Sequence, residues 1–187
     1  MTTFVALLRA VNVSGQNKIP MAELRASMEA AGFGDTRTYV QSGNIVYDAG
    51  GDHPAEEAAA IHGLIEREFG HDVRVLVLTA AELARVAAAD PFAAGGGSAV
   101  PAADEKYLHV TFLERPVEET AFGRLSPPAQ GDEHVAHAGR VIYLYLPHGY
   151  GRTKLNNAYF ERALGTSATT RNWRTVLALV EMTGSRR

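Results

Sequence analysis

Phe4–Val11 is an apolar run interrupted only by Arg9. It is too short to favour a helix and runs into turn-forming residues, so it reads as a β-strand. Side chains alternate along a strand. Phe4, Ala6, Leu8 and Ala10 therefore share one face, and Val5, Leu7, Arg9 and Val11 the other. Both faces are largely apolar, which calls for cover on both sides of the sheet. Arg9 is the exception. A charge on a covered strand is costly unless paired, so its head either reaches water at the strand end or lines a cleft.

The segments that follow supply such a cover. After a polar loop, Asn12–Lys18, Pro20 suits a first helical turn, and Met21, Leu24, Met28 and Ala31 fall on one helical face. The two methionines read as core. Thr36–Val40 and Ile45–Asp48 are strands joined through Gln41-Ser42-Gly43-Asn44, where Gly43 permits a positive φ. Pro54 opens a helix with Ala58, Ile61, Leu64, Ile65 and Phe69 on one face, ending at Gly70. Val73–Leu78 is a further strand, and Thr79-Ala80-Ala81-Glu82 has the spacing of a capping box. The order β-α-β-β-α-β is that of a ferredoxin-like fold, here with an extra helix.

Residues 93–106 have the glycine-rich composition of a linker or loop and mark the predicted boundary. Beyond it, Tyr107–Leu113 is a strand, Pro116–Gly123 holds a short helix, and Glu133–His137 with Arg140–Leu146 form a hairpin. Leu155–Leu164 and Asn172–Met182 are helices, with room for one more strand between them. This partly repeats the first half. The predicted fold class is α+β, with two ferredoxin-like-related subdomains at 1–92 and 107–187, although no internal sequence similarity supports a duplication.

Composition narrows the chemistry. The chain has no cysteine, which excludes disulfides, thiolate catalysis and cysteine-bound metals. The same absence fits a cytoplasmic protein. No apolar run approaches the roughly 20 residues that span a bilayer, and the N-terminus has no signal-peptide pattern, so no membrane partner is expected. The net charge of −3 is unevenly spread. Residues 140–187 carry eight cations against two carboxylates, a net of +6, which leaves −9 elsewhere. A basic end on an acidic body points to an anionic ligand or an acidic partner surface, or to a solvated helical tail.

Four separated blocks carry a family resemblance: Leu7–Gly15, Tyr39–Asn44, Gly151–Asn157 and Thr169–Trp173. Together they resemble the bacterial family called domain of unknown function 1697. The resemblance extends over nearly the whole chain, with Ala10 and Ser14 at positions where glycine is the family habit. It implies a small cytoplasmic α+β protein of ferredoxin-like topology and carries no established activity.

Two constellations emerge. In the predicted first sheet, strands one and two run parallel with strand three between them. The loop after strand one and the turn after strand two then share one sheet end. Arg9, Asn12, Asn17 and Lys18 are thereby brought towards Gln41, Ser42 and Asn44, a set able to hydrogen-bond a polar or anionic ligand. The same residue types also hold turns by bonding their own backbone. The second constellation is Arg152, Lys154, Asn156, Arg171, Asn172 and Arg174, near two predicted helix starts. Cations are mildly unfavourable at helix N-termini, and a bound anion would offset that. Trp173 reads as a core anchor.

No complete catalytic set is present. His134 and His137 lie three apart on a strand and face opposite ways, so no metal site is expected, and no cofactor motif occurs. Three functions remain in view. The first is a module binding an anionic small molecule or, most broadly, nucleic acid. The second is an enzyme on a small polar substrate between subdomains. The third is a protein-interaction or oligomerising module, since strand one needs cover.

Overall fold

The computed structural model describes residues 1–13, 15, 17–93 and 104–184. Contacts divide it into two compact units. One is Met1–Arg85 with the segment from Ala178, and the other is Val86–Leu177.

In the first unit, β1 (Thr2–Leu8), α1 (Met21–Ala30), β2 (Gly34–Tyr39), β3 (Asn44–Ala49), α2 (Pro54–Phe69) and β4 (Val75–Thr79) follow in the expected order. The sheet order is β2-β3-β1-β4 with every neighbouring pair antiparallel. β1 and β2 therefore run parallel with β3 between them. Phe4 through Leu8 are fully buried, so both faces of β1 are covered within the chain. Phe4, Ala6 and Leu8 pack in one core with Leu24 and Met28 of α1 and Ile61 and Ile65 of α2, which places the α1 methionines in the core.

α3 (Ala80–Ala88) follows β4 without a loop. The predicted capping box forms at its start. The Glu82 amide donates to Thr79 Oγ1 at 3.1 Å, and the Thr79 amide donates to Glu82 Oε2 at 2.8 Å. Two of the amides left over at a helix start are thus satisfied reciprocally.

The second unit contains β5 (Leu108–Leu113), α4 (Glu119–Gly123), β6 (His134–Ala138), β7 (Val141–Tyr145), α5 (Asn157–Leu164), β8 (Ala168–Asn172) and the start of α6 (Trp173–Gly184). Its sheet runs β6-β7-β5-β8, all antiparallel. Second, third, first, fourth is the strand order of the first sheet as well, so the two units share a topology. β8 occupies the interval between the two predicted helices. Its residues, Ala-Thr-Thr-Arg-Asn, offer no apolar alternation, and its burial comes from pairing along β5. Leu113, Ile142, Leu144, Leu155, Phe160 and Ala168 form the core of this unit. One 3-10 turn, Glu105–Tyr107, precedes β5, and most of the predicted linker falls outside the described residues.

Candidate functional site

Among the first-unit candidates Asn12 reaches the Gln41 turn, and several of their amides are spent on backbone. Asn12 bridges two loops. Its Nδ2 donates to the carbonyls of Ile19 and Gln41, both at 2.9 Å, and its Oδ1 accepts from the Ile19 amide at 2.9 Å. Asn17 Nδ2 donates to the Ala10 carbonyl at 3.1 Å. Asn44, fully buried, donates to the Tyr39 carbonyl and to Ser42 Oγ, both at 3.0 Å. Gln41 and Lys18 are exposed, and Ser42 and Arg9 are half-buried. The Arg9 amide, just past β1, donates to the Arg74 carbonyl at 2.9 Å. This end of the unit is a hydrogen-bonded brace in which turn chemistry accounts for Asn12, Asn17 and Asn44.

Gly43 shows how tight that brace is. Its φ is +74°, and a Cβ built on it would lie 2.6 Å from Leu8 Cβ. The backbones also bond there, the Leu8 amide donating to the Gly43 carbonyl at 2.8 Å.

The second-unit candidates separate into two kinds. Asn156 and Asn172 are helix caps. Asn156 Oδ1 accepts from the Tyr159 amide at 3.0 Å, and Asn172 Oδ1 accepts from the Thr175 amide at 2.8 Å. Arg171 lies near the end of β8, two residues before α6, and is 9% exposed. Its Nη1 donates to Thr169 Oγ1 at 2.8 Å and to the Thr170 carbonyl at 3.0 Å. Burial lowers its pKa to about 10, which leaves the guanidinium charged at neutral pH. Arg174 is exposed; its charge reaches Asp104, whose carboxyl is lowered chiefly by Lys106. Trp173 is buried at 5% exposure, as a core anchor should be.

Arg152 and Lys154 stand in a different setting. From Arg152 to Leu155 exposure alternates: Arg152 and Lys154 are exposed, while Thr153 and Leu155 are buried. Leu155 belongs to the core of the unit, and Thr153 Oγ1 accepts from the Leu155 amide at 3.0 Å. Through this turn and bend, both cations therefore lie on the solvent side. Neither is paired with a carboxylate among the described residues.

The ends of this loop are tied to the sheet by groups the sequence reading did not select. Tyr150 Oη donates to Thr170 Oγ1 at 3.3 Å and accepts from the Asn157 amide at 3.2 Å. Thr170 Oγ1 donates to Asn157 Oδ1 and pairs with Thr111 Oγ1, each at 2.7 Å. Thr111 and Thr170 are register partners on β5 and β8, so the network joins the loop block to the β8 block directly. His109, two residues before Thr111, stacks on Tyr150 at 5.5 Å between centroids. Its Nδ1 lies 3.2 Å from the Tyr107 carbonyl, which can only accept, so Nδ1 carries the hydrogen in the neutral ring. Burial lowers the His109 pKa, and the bond to Tyr107 partly opposes this. Alternation along β5 puts His109 and Thr111 on one face, but no sequence signal ties that face to Tyr150, 41 residues later.

The remaining histidines are dispersed. His137 Nδ1 meets Glu119 Oε2 at 2.9 Å and its ring stacks on Phe122, whereas His134 packs beside Tyr145. Tyr143, buried, donates to the Val86 carbonyl at 2.9 Å, so it is a packing residue. Among the described residues no group of three or more His, Asp or Glu could hold a metal ion, and no helix is long and apolar enough to cross a membrane.

The fold is similar to that of the conserved bacterial protein SP0830 from Streptococcus pneumoniae, with a TM-score of 0.74 over 99% of both chains. At 19% identity, this likeness establishes the fold alone. No curated protein matches the sequence. The profile of one family, described as a protein of unknown function (DUF1697), matches residues 1–143, and the chain belongs to that family.

Proposed function

We propose that the second unit binds a small phosphorylated or otherwise anionic molecule on the loop from Gly149 to Asn157. The observation that carries this reading is the placement of Arg152 and Lys154. Both project from the solvent side of a segment whose alternate residues are anchored in the core, and whose ends are tied to the sheet through Tyr150 and Asn157. Two cations on an anchored backbone lose less freedom on meeting an anion than two on a loose tail, so more of the charge-assisted interaction is retained as affinity. The basic excess of the C-terminal quarter of the chain favours an anion over a neutral ligand.

The test is calorimetric titration of the full chain with orthophosphate and pyrophosphate at low ionic strength. Saturable binding is expected, weakened about tenfold in Arg152→Ala and in Lys154→Ala. No saturable binding, or unchanged affinity in both variants, overturns the proposal. Titration with a single-stranded oligonucleotide separates the broadest version. Nucleic acid as the ligand requires affinity that falls steeply with salt.

A further inference from the structure

Two atoms of the network beside the cationic loop have no partner among the described residues. Thr170 Oγ1 has three partners, and Tyr150 Oη both donates and accepts. Asn157 Oδ1 is occupied by Thr170, so the amide turns its Nδ2 away from that bond. Nδ2 has two hydrogens and no acceptor among the described residues. On His109, Nδ1–H is committed to the Tyr107 carbonyl, which leaves Nε2 as a lone-pair acceptor without a donor among the described residues. Both side chains are half-buried and so retain access to solvent. Both residues meet one ring: His109 stacks on the face of Tyr150, and the Asn157 backbone N–H donates to its hydroxyl, while the Asn157 side chain is held by Thr170 Oγ1.

We infer that His109 Nε2 and Asn157 Nδ2 form a recognition subsite for hydroxyl groups, so that the anion held by the loop is a phosphorylated polyol, such as a sugar phosphate. A hydroxyl suits this pair because it donates to a lone pair and accepts from an amide. A nucleobase is the weaker fit. The flat surfaces it would stack on are partly used, since His109 and Tyr150 already lie against each other at 25° between planes. A bare phosphate at neutral pH offers acceptors to Asn157 and little to Nε2. This inference rests on the anion-binding proposal for the same loop.

Calorimetry on the full chain compares orthophosphate, glycerol 3-phosphate, ribose 5-phosphate and adenosine 5′-monophosphate. Ribose 5-phosphate is expected to bind about tenfold or more tightly than orthophosphate, with no further gain from the adenine base. His109→Phe keeps a ring against Tyr150 and removes Nε2; Asn157→Asp keeps the oxygen that Thr170 uses and removes Nδ2. Each should shrink the advantage of ribose 5-phosphate over orthophosphate towards unity, and His109→Phe should leave orthophosphate affinity unchanged. Equal affinity of the native protein for orthophosphate and both polyol phosphates overturns the inference and spares the anion site. So does a tightening that appears only with the base. Absence of binding by every phosphate removes the anion site and the inference with it. The comparison of ligands on the native chain decides the matter even if a variant fails to fold.

Discussion

Positions 40 and 43 sit in the same turn and illustrate opposite relations between residue and backbone. Gly43 combines a φ of +74° with a Leu8 side chain that leaves no space for a Cβ. Gly43→Ala is therefore expected to cost about 2 kcal/mol or more, from the strained φ and the overlap together. Val40 also has a positive φ, +50°, yet it is β-branched and 53% exposed. It incurs the left-handed penalty and gains little packing in return. Val40→Gly should stabilise the chain by about 0.5–1 kcal/mol, a net of relieved strain over added unfolded-state entropy. Urea unfolding of both variants checks the pair; opposite signs are the expected result, and equal signs would reject this account of the turn. The sequence reading identified Gly43, because a glycine between two strands carries a known backbone meaning. It did not identify Val40, because nothing in a valine announces a left-handed φ imposed by its neighbours. The burial of Arg171 is hidden in the sequence for a related reason. A charged residue is read as surface, and only the pairing of β8 with β5 makes it interior. Arg171→Lys should cost about 2 kcal/mol or more, since an ammonium cannot reproduce the planar donors that reach Thr169 and Thr170.

At the scale of elements, the strongest signals were periodicity and caps. The 3.6-residue pattern located α1 and α2, and the Thr79–Glu82 spacing gave the start of α3. Thr79→Ala should cost about 1 kcal/mol by releasing the Glu82 amide. β8 carried no such pattern, so its existence stayed open until the sheet supplied its partner. The same logic separates caps from ligand contacts. Asn156 and Asn172 were candidate binding residues, and each caps a helix in the structure. Asn156→Ala and Asn172→Ala are expected to lower stability by about 1 kcal/mol each and to leave phosphate affinity unchanged. A loss of affinity with unchanged stability would instead return them to the binding set. The cluster of His109, Tyr150, Thr170 and Asn157 was not legible, because it is assembled by register between β5 and β8 and by a loop returning to that edge. Two of its four members stood in the resembling blocks without any chemical reason to select them.

For the whole molecule, buried Tyr143 and half-buried His109 of the second unit contribute to opposite limbs of the dependence of stability on pH. Burial pushes the Tyr143 phenol up from 10.0 to about 12. Between those values the unfolded chain gives up this proton while the folded chain still holds it. The folded state binds more protons there, so stability falls as pH rises through the window. His109 acts on the acid side. Its pKa is lowered from 6.5 by burial, so below that value the unfolded chain takes up a proton that the folded chain resists. Its contribution is present above pH 6.5 and is lost as pH falls through the folded value. Urea unfolding of the native chain, Tyr143→Phe and His109→Phe across the pH range from 5 to 11 tests both limbs. Tyr143→Phe should start lower, because the Val86 carbonyl loses its donor, and then decline less steeply above pH 10. His109→Phe should flatten the acid limb and leave the alkaline limb as it was. The two variants thus differ in slope as well as in height, which simple damage to packing would not produce. A mere vertical offset in either would mean that the group's titration does not differ between folded and unfolded states. For His109 that result would carry further. A ring that titrates freely would be protonated at Nε2 in mild acid, and the acceptor assigned to a ligand hydroxyl would then be present only at higher pH.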